Sequence, residues 1–381
     1  MDKIRFGIVG LGHRGRMMAR LAAETFECTE FVAACDIDPL LWSEKQWLED
    51  RPFKERFPNV PFYTDYSQML SENKLDLVFV ETGADVHADF CIKALNMNIN
   101  VFSDIPSVAN LEEADRLWKA EQASEARLMT GANPNEWGFV NTLVDLYQKG
   151  LLGEPYYMEA EYIHASRAKP EVNPLLTHSP WRKTLPPIRY CTHSLGPLLR
   201  IMKEVLRYAI CLGTGVHVNP DAEKDDMQVA LFQTESGVTI RLLRNGACRA
   251  FIGHHSYRVF GTKGYFERID SRGNTPQVVR FRSDELYGAD TITELPVGMM
   301  PNEYANNAAA QGHGGADYAL LDHMFKAIQN GDKVFPISLR EGLCMTLPGI
   351  YAAKSAQLGG QKLTNHYQWE EEFAADISNY L

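Results

Sequence analysis

Hydrophobic positions in the first third of the chain follow two alternating rhythms. Short apolar runs at residues 4–9, 31–35, 75–81, 99–103 and 127–130 have the length and β-branched or aromatic content of buried strands. Between them, residues 13–24, 40–49, 86–95 and 111–123 repeat apolar positions at helical spacing. This alternation predicts a parallel sheet with right-handed crossovers, the doubly wound α/β class, with ligands at the carboxyl ends of the strands. Past Gly131 the rhythm changes. A helix over 136–149 is followed by strand-like runs at 155–164, 208–212, 227–233, 238–243, 257–260 and 278–282. Turns at Glu235-Ser236-Gly237 and Gly261-Thr262-Lys263-Gly264 separate neighbouring runs. These features predict a second α/β domain with an open, mainly antiparallel sheet. The expected division is residues 1–132 and 133–381, with a last helix over 339–358 packing back near the junction. A length of 381 residues suits two domains.

Composition narrows the classes of partner. A formal net charge of -11 and a pI near 5.5 argue against nucleic acid and anionic membranes, whose phosphates need concentrated Lys and Arg. No stretch reaches the ~18 apolar residues of a membrane span. The apolar run 4–9 passes straight into a glycine turn, as a first strand does and a signal peptide does not. Seven scattered cysteines with no C-x-x-C pair fit thiols in a reducing cytoplasm.

After the first run the chain reads Gly10-Leu11-Gly12-His13-Arg14-Gly15. In a G-x-G-x-x-G loop one glycine permits the turn, one admits a pyrophosphate, and one lets helix and sheet pack closely; the helix N-terminus then offers free N–H groups. Asp36 ends the second run, placed to accept from an adenosine ribose and to repel a 2'-phosphate, which favours NAD over NADP. The bland alternative is a structural turn with a helix-capping aspartate.

These features, with Gly7-Ile8-Val9-Gly10-Leu11-Gly12, Ala34-Cys35-Asp36, His87, Ser103-Asp104-Ile105-Pro106 and Gly261-Thr262-Lys263-Gly264, resemble the Gfo/Idh/MocA oxidoreductase family over nearly the whole chain. The resemblance implies a Rossmann domain, an α/β domain whose open sheet mediates oligomers, dimer or tetramer, and bound NAD. Gly10, Gly12, His13, Arg14, Gly15, Asp36 and His87 then belong to the cofactor side, with Asp104, Ile105 and Asn133 beside the nicotinamide half. Family dehydrogenases carry Glu-Lys-Pro where this chain has Asp104-Ile105-Pro106. An isoleucine cannot move a proton, and losing a positioned acid/base costs ~10²- to 10⁴-fold.

A narrower resemblance supplies a reason. Gly12-His13-Arg14-Gly15, Asp104-Ile105-Pro106, Glu161-Tyr162-Ile163-His164, Trp181-Arg182, Tyr190-Cys191-Thr192-His193-Ser194-Leu195-Gly196-Pro197 and Gly312-His313-Gly314-Gly315 are similar to NAD-dependent glycosidases, notably α-N-acetylgalactosaminidases. That subgroup also has an apolar residue at the lysine position. It implies transient oxidation of the sugar at C3, loss of the C2 proton with the aglycone, addition of water and re-reduction, which dispenses with paired glycosidase carboxylates. Tyr162, Arg182, Tyr190 and His193 match its sugar pocket, with His193 as acid/base and Tyr162 as proton partner; Tyr257 and His313 are further candidates. Each keeps a plainer alternative: a buried structural histidine, a packing tyrosine in a strand, a flexible glycine connection. Imidazole titrates near neutrality, which suits His193 to the role.

His164, His178, His193, His254, His255 and His313 raise the question of a metal, but none pair at a tight helical spacing with a third ligand, so no metal is expected. Arg167, Lys169, Arg182, Lys183 and Arg189 form a basic cluster that would suit an anionic sugar or be a solvated loop. Three functions stand side by side: an NAD-dependent glycosidase, a sugar or inositol dehydrogenase without the lysine, and a non-catalytic NAD-binding regulator.

Overall fold

The computed structural model describes residues 3–163, 181–218, 223–248, 254–268, 278–286, 290–296 and 312–380. It divides into two compact units, Met1–Gly131 with Asp317–Gly342, and Ala132–Ala316 with Leu343–Leu381. The division after Gly131 falls one residue before the expected one, and the segment 317–342 groups with the first unit instead of the second.

In the first unit the elements run β1 (Ile4–Val9), α1 (His13–Thr25), β2 (Thr29–Cys35), α2 (Leu40–Ser43), α3 (Phe53–Arg56), β3 (Phe62–Tyr63), α4 (Tyr66–Glu72), β4 (Leu77–Val80), α5 (His87–Leu95), β5 (Asn100–Ser103), α6 (Leu111–Ala123) and β6 (Leu128–Thr130). The six strands are all parallel, in the order β3-β2-β1-β4-β5-β6. Every residue of β4 is buried, so its run is continuously apolar, as in a sheet covered on both faces. The order reverses between β1 and β4, the switch point at which doubly wound folds bind ligands.

The helix expected over 40–49 stops at Ser43. Trp47 and Leu48 turn to solvent instead of the core, at 54% and 61% exposure, and Leu48 has a φ of 64°. Two apolar residues at helical spacing imply a helix only if something covers them. The two-residue strand β3, which pairs Phe62 with Ala34, was too short to leave a period in the sequence.

The second unit opens with a short 3₁₀ turn, Asn133–Glu136, then α7 (Gly138–Gln148), β7 (Pro155–Ile163), α8 (Trp181–Thr184), a second 3₁₀ turn (Pro187–Arg189), α9 (Thr192–Leu199), β8 (Tyr208–Gly213), β9 (Met227–Gln233), β10 (Thr239–Asn245), β11 (His254–Gly261), β12 (Gly264–Arg268), β13 (Val278–Ser283) and β14 (Thr293–Pro296). A third 3₁₀ turn, Gly312–Gly315, leads into α10 (Ala316–Asn330), followed by α11 (Leu339–Gln357), β15 (Leu363–Thr364) and α12 (Phe373–Tyr380). The unit boundary falls within α11. Among the described residues the second sheet has the order β14-β13-β12-β11-β7-β10-β9-β8-β15, with β7 and β10 parallel and the other pairs antiparallel. The open, mainly antiparallel sheet expected from the turn spacing is present.

Alternation sorts this sheet into two faces. Met158, Ala160, Ile240, Leu242, Val259, Phe266 and Val279 are buried on one side. On the other, Glu159 receives Arg241 Nε at 3.2 Å and Arg258 Nη1 at 2.5 Å, while Arg258 Nε reaches Glu267 at 2.8 Å. Partial burial alone would raise the Glu159 pKa, but hydrogen bonds from Arg241 and Arg258 outweigh it and hold the carboxyl at about 2. A carboxyl whose folded pKa is depressed stabilises the fold above its unfolded pKa and loses that effect as pH falls through the folded value. Thermal melts of wild type and Glu159→Gln should therefore differ at pH 7 and converge as pH falls from 5 towards 2; a gap that persists at low pH would contradict this.

Candidate active site

The first unit supplies a cradle at the β1–β4 switch point. The Gly10 N–H donates to the Cys35 carbonyl at 2.9 Å, and the Glu81 N–H donates to the Val9 carbonyl at 2.9 Å, so the residues after β1 and β4 lie level. Gly10 has φ 94°, and a Cβ there would come within 2.6 Å of the Glu81 carbonyl. A Cβ on Gly15 would lie 1.9 Å from the Gly10 oxygen. At Gly12, by contrast, a Cβ would meet nothing within 4 Å, so the backbone there faces open space. Gly12 also caps α1 without any side-chain hydrogen bond, leaving the first-turn N–H groups for a ligand.

Asp36 braces this loop. Its Oδ2 accepts from the Leu11 N–H at 2.6 Å and its Oδ1 from the Asp38 N–H at 2.9 Å. Each carboxylate oxygen has room for a second donor, so ribose hydroxyls fit beside the brace. Open space at Gly12, a helix N-terminus without a side-chain cap and a fixed carboxylate together suit a dinucleotide.

Four ionisable groups cluster beside the loop. Arg14 Nη1 and Nη2 each donate to an oxygen of Asp317 at 2.8 Å, and its Nε donates to Asp104 at 3.2 Å. Burial opposes the Arg14 charge, yet Asp317 and Asp104 more than offset it and push its pKa up. Glu81 is the fourth member. His87 is buried with Nδ1 3.2 Å from the Pro106 carbonyl, and burial holds its pKa down, as burial and then the neighbouring Arg16, Arg20 and Arg14 do for His13. Ile105, joined to Pro106 by a cis peptide bond, is buried.

In the second unit, register builds a polar row on the otherwise apolar face. Arg244 on β10 pairs with Tyr162 on β7, which pairs with His255 on β11. The Tyr162 and His255 rings stack at 3.9 Å, and the Arg244 guanidinium lies 4.0 Å from the Tyr162 ring centre, within cation–π range. His193, in the first turn of α9, stands 5.9 Å from Tyr162 and edge-on to Tyr190 at 5.3 Å. Tyr257 is buried, and its hydroxyl donates to the His193 carbonyl at 2.8 Å. It therefore braces the backbone that carries His193.

Tyr162, Tyr190 and His193 are thus brought together. Arg182 lies in α8, but its side chain falls outside the described residues, as do Arg167, Lys169, Lys183, His164 and His178. His313 has φ 54° in its 3₁₀ turn, is exposed, and accepts through its carbonyl from Trp137 Nε1 at 3.2 Å. Asn133 begins the first 3₁₀ turn and is buried. Arg244 and Trp137 were not singled out from the sequence, and His255 was weighed there only as a metal ligand. The signal for Arg244 was its parity: Ile240, Leu242 and Arg244 share one face, so a charged residue sits where the core pattern calls for an apolar one. Among the described residues no cluster of three or more His, Cys, Asp or Glu could hold a metal ion.

Comparison with known proteins agrees with this geometry. Residues 4–132 match the family model described as the oxidoreductase family, NAD-binding Rossmann fold. The chain is 24% identical over 370 residues to an α-N-acetylgalactosaminidase of Shewanella oneidensis, covering 87% of this chain and 78% of the relative. A glycosyl hydrolase family 109 protein of Bacteroides fragilis is 24% identical over 381 residues, with the same coverage. A levoglucosan dehydrogenase solved with NADH and levoglucosan superposes with a TM-score of 0.79 at 16% identity, covering 96% of this chain and 100% of that one. The chain is similar to the Gfo/Idh/MocA oxidoreductase family, whose NAD-binding Rossmann model matches its residues 4–132.

The match over residues 4–132 is to an NAD-binding domain, and the cradle in the first unit is the part that suits that cofactor. Two substitutions separate packing from binding in this cradle. Gly12→Ala should leave the melting temperature within about a degree of wild type but weaken NAD at least about tenfold, because the added methyl occupies the open approach. Gly15→Ala should lower both, since its Cβ meets the Gly10 carbonyl. Equilibrium dialysis and thermal melts would check both, and a Gly12→Ala protein that binds NAD normally would contradict the assignment.

Proposed function

We propose that the chain is an NAD-dependent glycosidase, with His193 and Tyr162 moving protons at the sugar ring. The observation that carries this reading is the clustering of Tyr162, Tyr190 and His193 with Arg244 and His255, in a protein whose usual lysine position holds the buried Ile105. Similarity to a relative named α-N-acetylgalactosaminidase supports it and makes aryl α-N-acetylgalactosaminides the first substrates to test.

Bound NAD supplies reversible oxidation of the sugar at C3. The residues account for the rest. A C3 ketone acidifies the C2 proton, and a base drawn from Tyr162 or His193 removes it as the C1–O bond to the aglycone breaks. The other group protonates the departing oxygen. Water then adds at C1, and the proton returns to C2. Arg244, 4.0 Å from the centre of the Tyr162 ring, fixes that ring beside the proposed proton transfer. In this reading Gly10, Gly12, His13, Arg14, Gly15, Asp36, His87, Asp104, Ile105 and Asn133 serve the cofactor, while Arg182, Tyr190, Tyr257 and His313 serve the sugar. Seven free thiols support a cytoplasmic location. Leu212, Val229 and Leu231, exposed on the solvent side of the open sheet, support a homodimer or homotetramer, which light scattering would check.

Leaving group and NADH followed together on aryl glycosides should show aglycone release with no net NADH, and C2 should take up deuterium in D₂O. Release without C2 exchange would overturn the elimination, and accumulating NADH would make the protein a dehydrogenase. His193→Ala and Tyr162→Phe should each lower kcat by ~10²- to 10⁴-fold without loss of bound NAD.

A further inference from the structure

Glu81 is an unusual residue for its place. It follows β4 directly, level with Gly10 across the switch point, and it is 8% exposed. Gly10 packs on its carbonyl, and a Cβ on Gly15 would stand 3.2 Å from its own Cβ. Among the described residues, neither side-chain oxygen meets a hydrogen-bond donor.

The groups facing Glu81 come from three elements. Arg14 projects from α1, Asp104 follows β5, and Asp317 lies in the first turn of α10; His87, at the start of α5, faces Asp104. Arg14 already donates to Asp317 and Asp104. Of the described groups that act on Glu81, Arg14 is the cation, and Asp104 and Asp317 are further carboxyls beside Glu81's own. As two carboxylates, Glu81 and Asp104 have no proton between them and repel; with one proton on Glu81, its hydroxyl becomes a donor to Asp104.

We propose that Glu81 carries a proton in the folded enzyme and acts with Asp104 as a positioning pair, setting the charge beneath the dinucleotide loop through Arg14. Burial first, and then the charge of Asp104, raise the affinity of Glu81 for that proton well above the ordinary carboxylate range. Ionising Glu81 places a third carboxylate under a loop that must receive a pyrophosphate, and it competes for the Arg14 that holds the loop's helix. NAD affinity should then fall as pH rises. This inference needs only the cofactor; it stands or fails separately from the glycosidase chemistry.

The stability of the fold moves in the same direction. A carboxyl that binds its proton more tightly when folded gives the native state the extra proton above the ordinary carboxylate range. Stability then declines as pH rises, until the folded group itself ionises. Glutamine has the shape and donor capacity of the neutral acid but does not titrate.

Equilibrium dialysis of the full-length chain against NAD at pH values from 6 to 9, with thermal melts of the same samples, tests the pair. Wild type should lose roughly tenfold in affinity across its transition. Glu81→Gln should bind NAD within about twofold of the pH 6 wild-type value throughout and lose the stability slope. Asp104→Asn, which removes the charge opposing ionisation, should move the wild-type transition to lower pH, and this measurement stands even if Glu81→Gln folds poorly. The proposal is overturned if Glu81→Gln keeps the wild-type pH dependence, if it binds NAD tenfold more weakly than wild type at pH 6, or if Asp104→Asn leaves the transition in place.

Discussion

Hydrogen-bonded strand register sets the chemistry of each unit. In the parallel sheet, the pairing of Val9 with Val80 and of Val80 with Ser103 brings Gly10, Glu81 and Asp104 to one level, each a residue past its strand. In the mainly antiparallel sheet, Gln228, Arg244, Tyr162 and His255 form a line across four strands. A slip of one residue in either sheet would turn these side chains to the other face and replace them with apolar or solvent-facing neighbours. The apolar residues that surround each row therefore do more than stabilise. Met158, Ala160, Ile240 and Leu242 fix the register that puts Tyr162 between Arg244 and His255.

The two rows manage buried charge differently. In the first unit, Arg14 is held by carboxylates, and that unit must balance the charges of its neighbours against one another. In the second, Arg244 donates to the carbonyls of Tyr190 and Asn245 and lies against the rings of Tyr162 and Tyr190. Carbonyl dipoles and ring faces are among the contacts that hold its guanidinium beside the phenol. Tyr257 contributes from behind by tying down the His193 backbone, which lets a histidine at a helix start keep a fixed position.

Much of this was legible in the sequence where local pattern and tertiary role coincide. The run 4–9, the glycine loop and Asp36 were legible together, because the strand before the loop, the helix after it and the carboxylate that braces it give the glycine spacing its context. The segment after Asp36 was not legible. Leu40, Trp47 and Leu48 have helical spacing, but nothing in a single sequence shows that no layer covers them. Arg244 was missed for the opposite reason: its parity marked it as inward, yet an inward arginine gains a role only when Tyr162 and Tyr190 are known to lie beside it. Glu81 was taken as the end of an apolar strand. Its importance depends on Arg14, Asp104 and Asp317, the last of them 236 positions further along the chain.

Ile105 connects the cofactor cradle to that charge balance. Ile105 directly follows Asp104 and adds no charge to the group formed by Arg14, Glu81, Asp104 and Asp317. With isoleucine there, Arg14 is the sole cation of that four-group cluster. A buried carboxyl facing a like charge responds by taking up a proton, because one neutral acid costs less than an uncompensated negative charge in a low-dielectric site. The proposed protonation of Glu81 then lets the first unit regulate, through a single proton, how firmly it holds the dinucleotide.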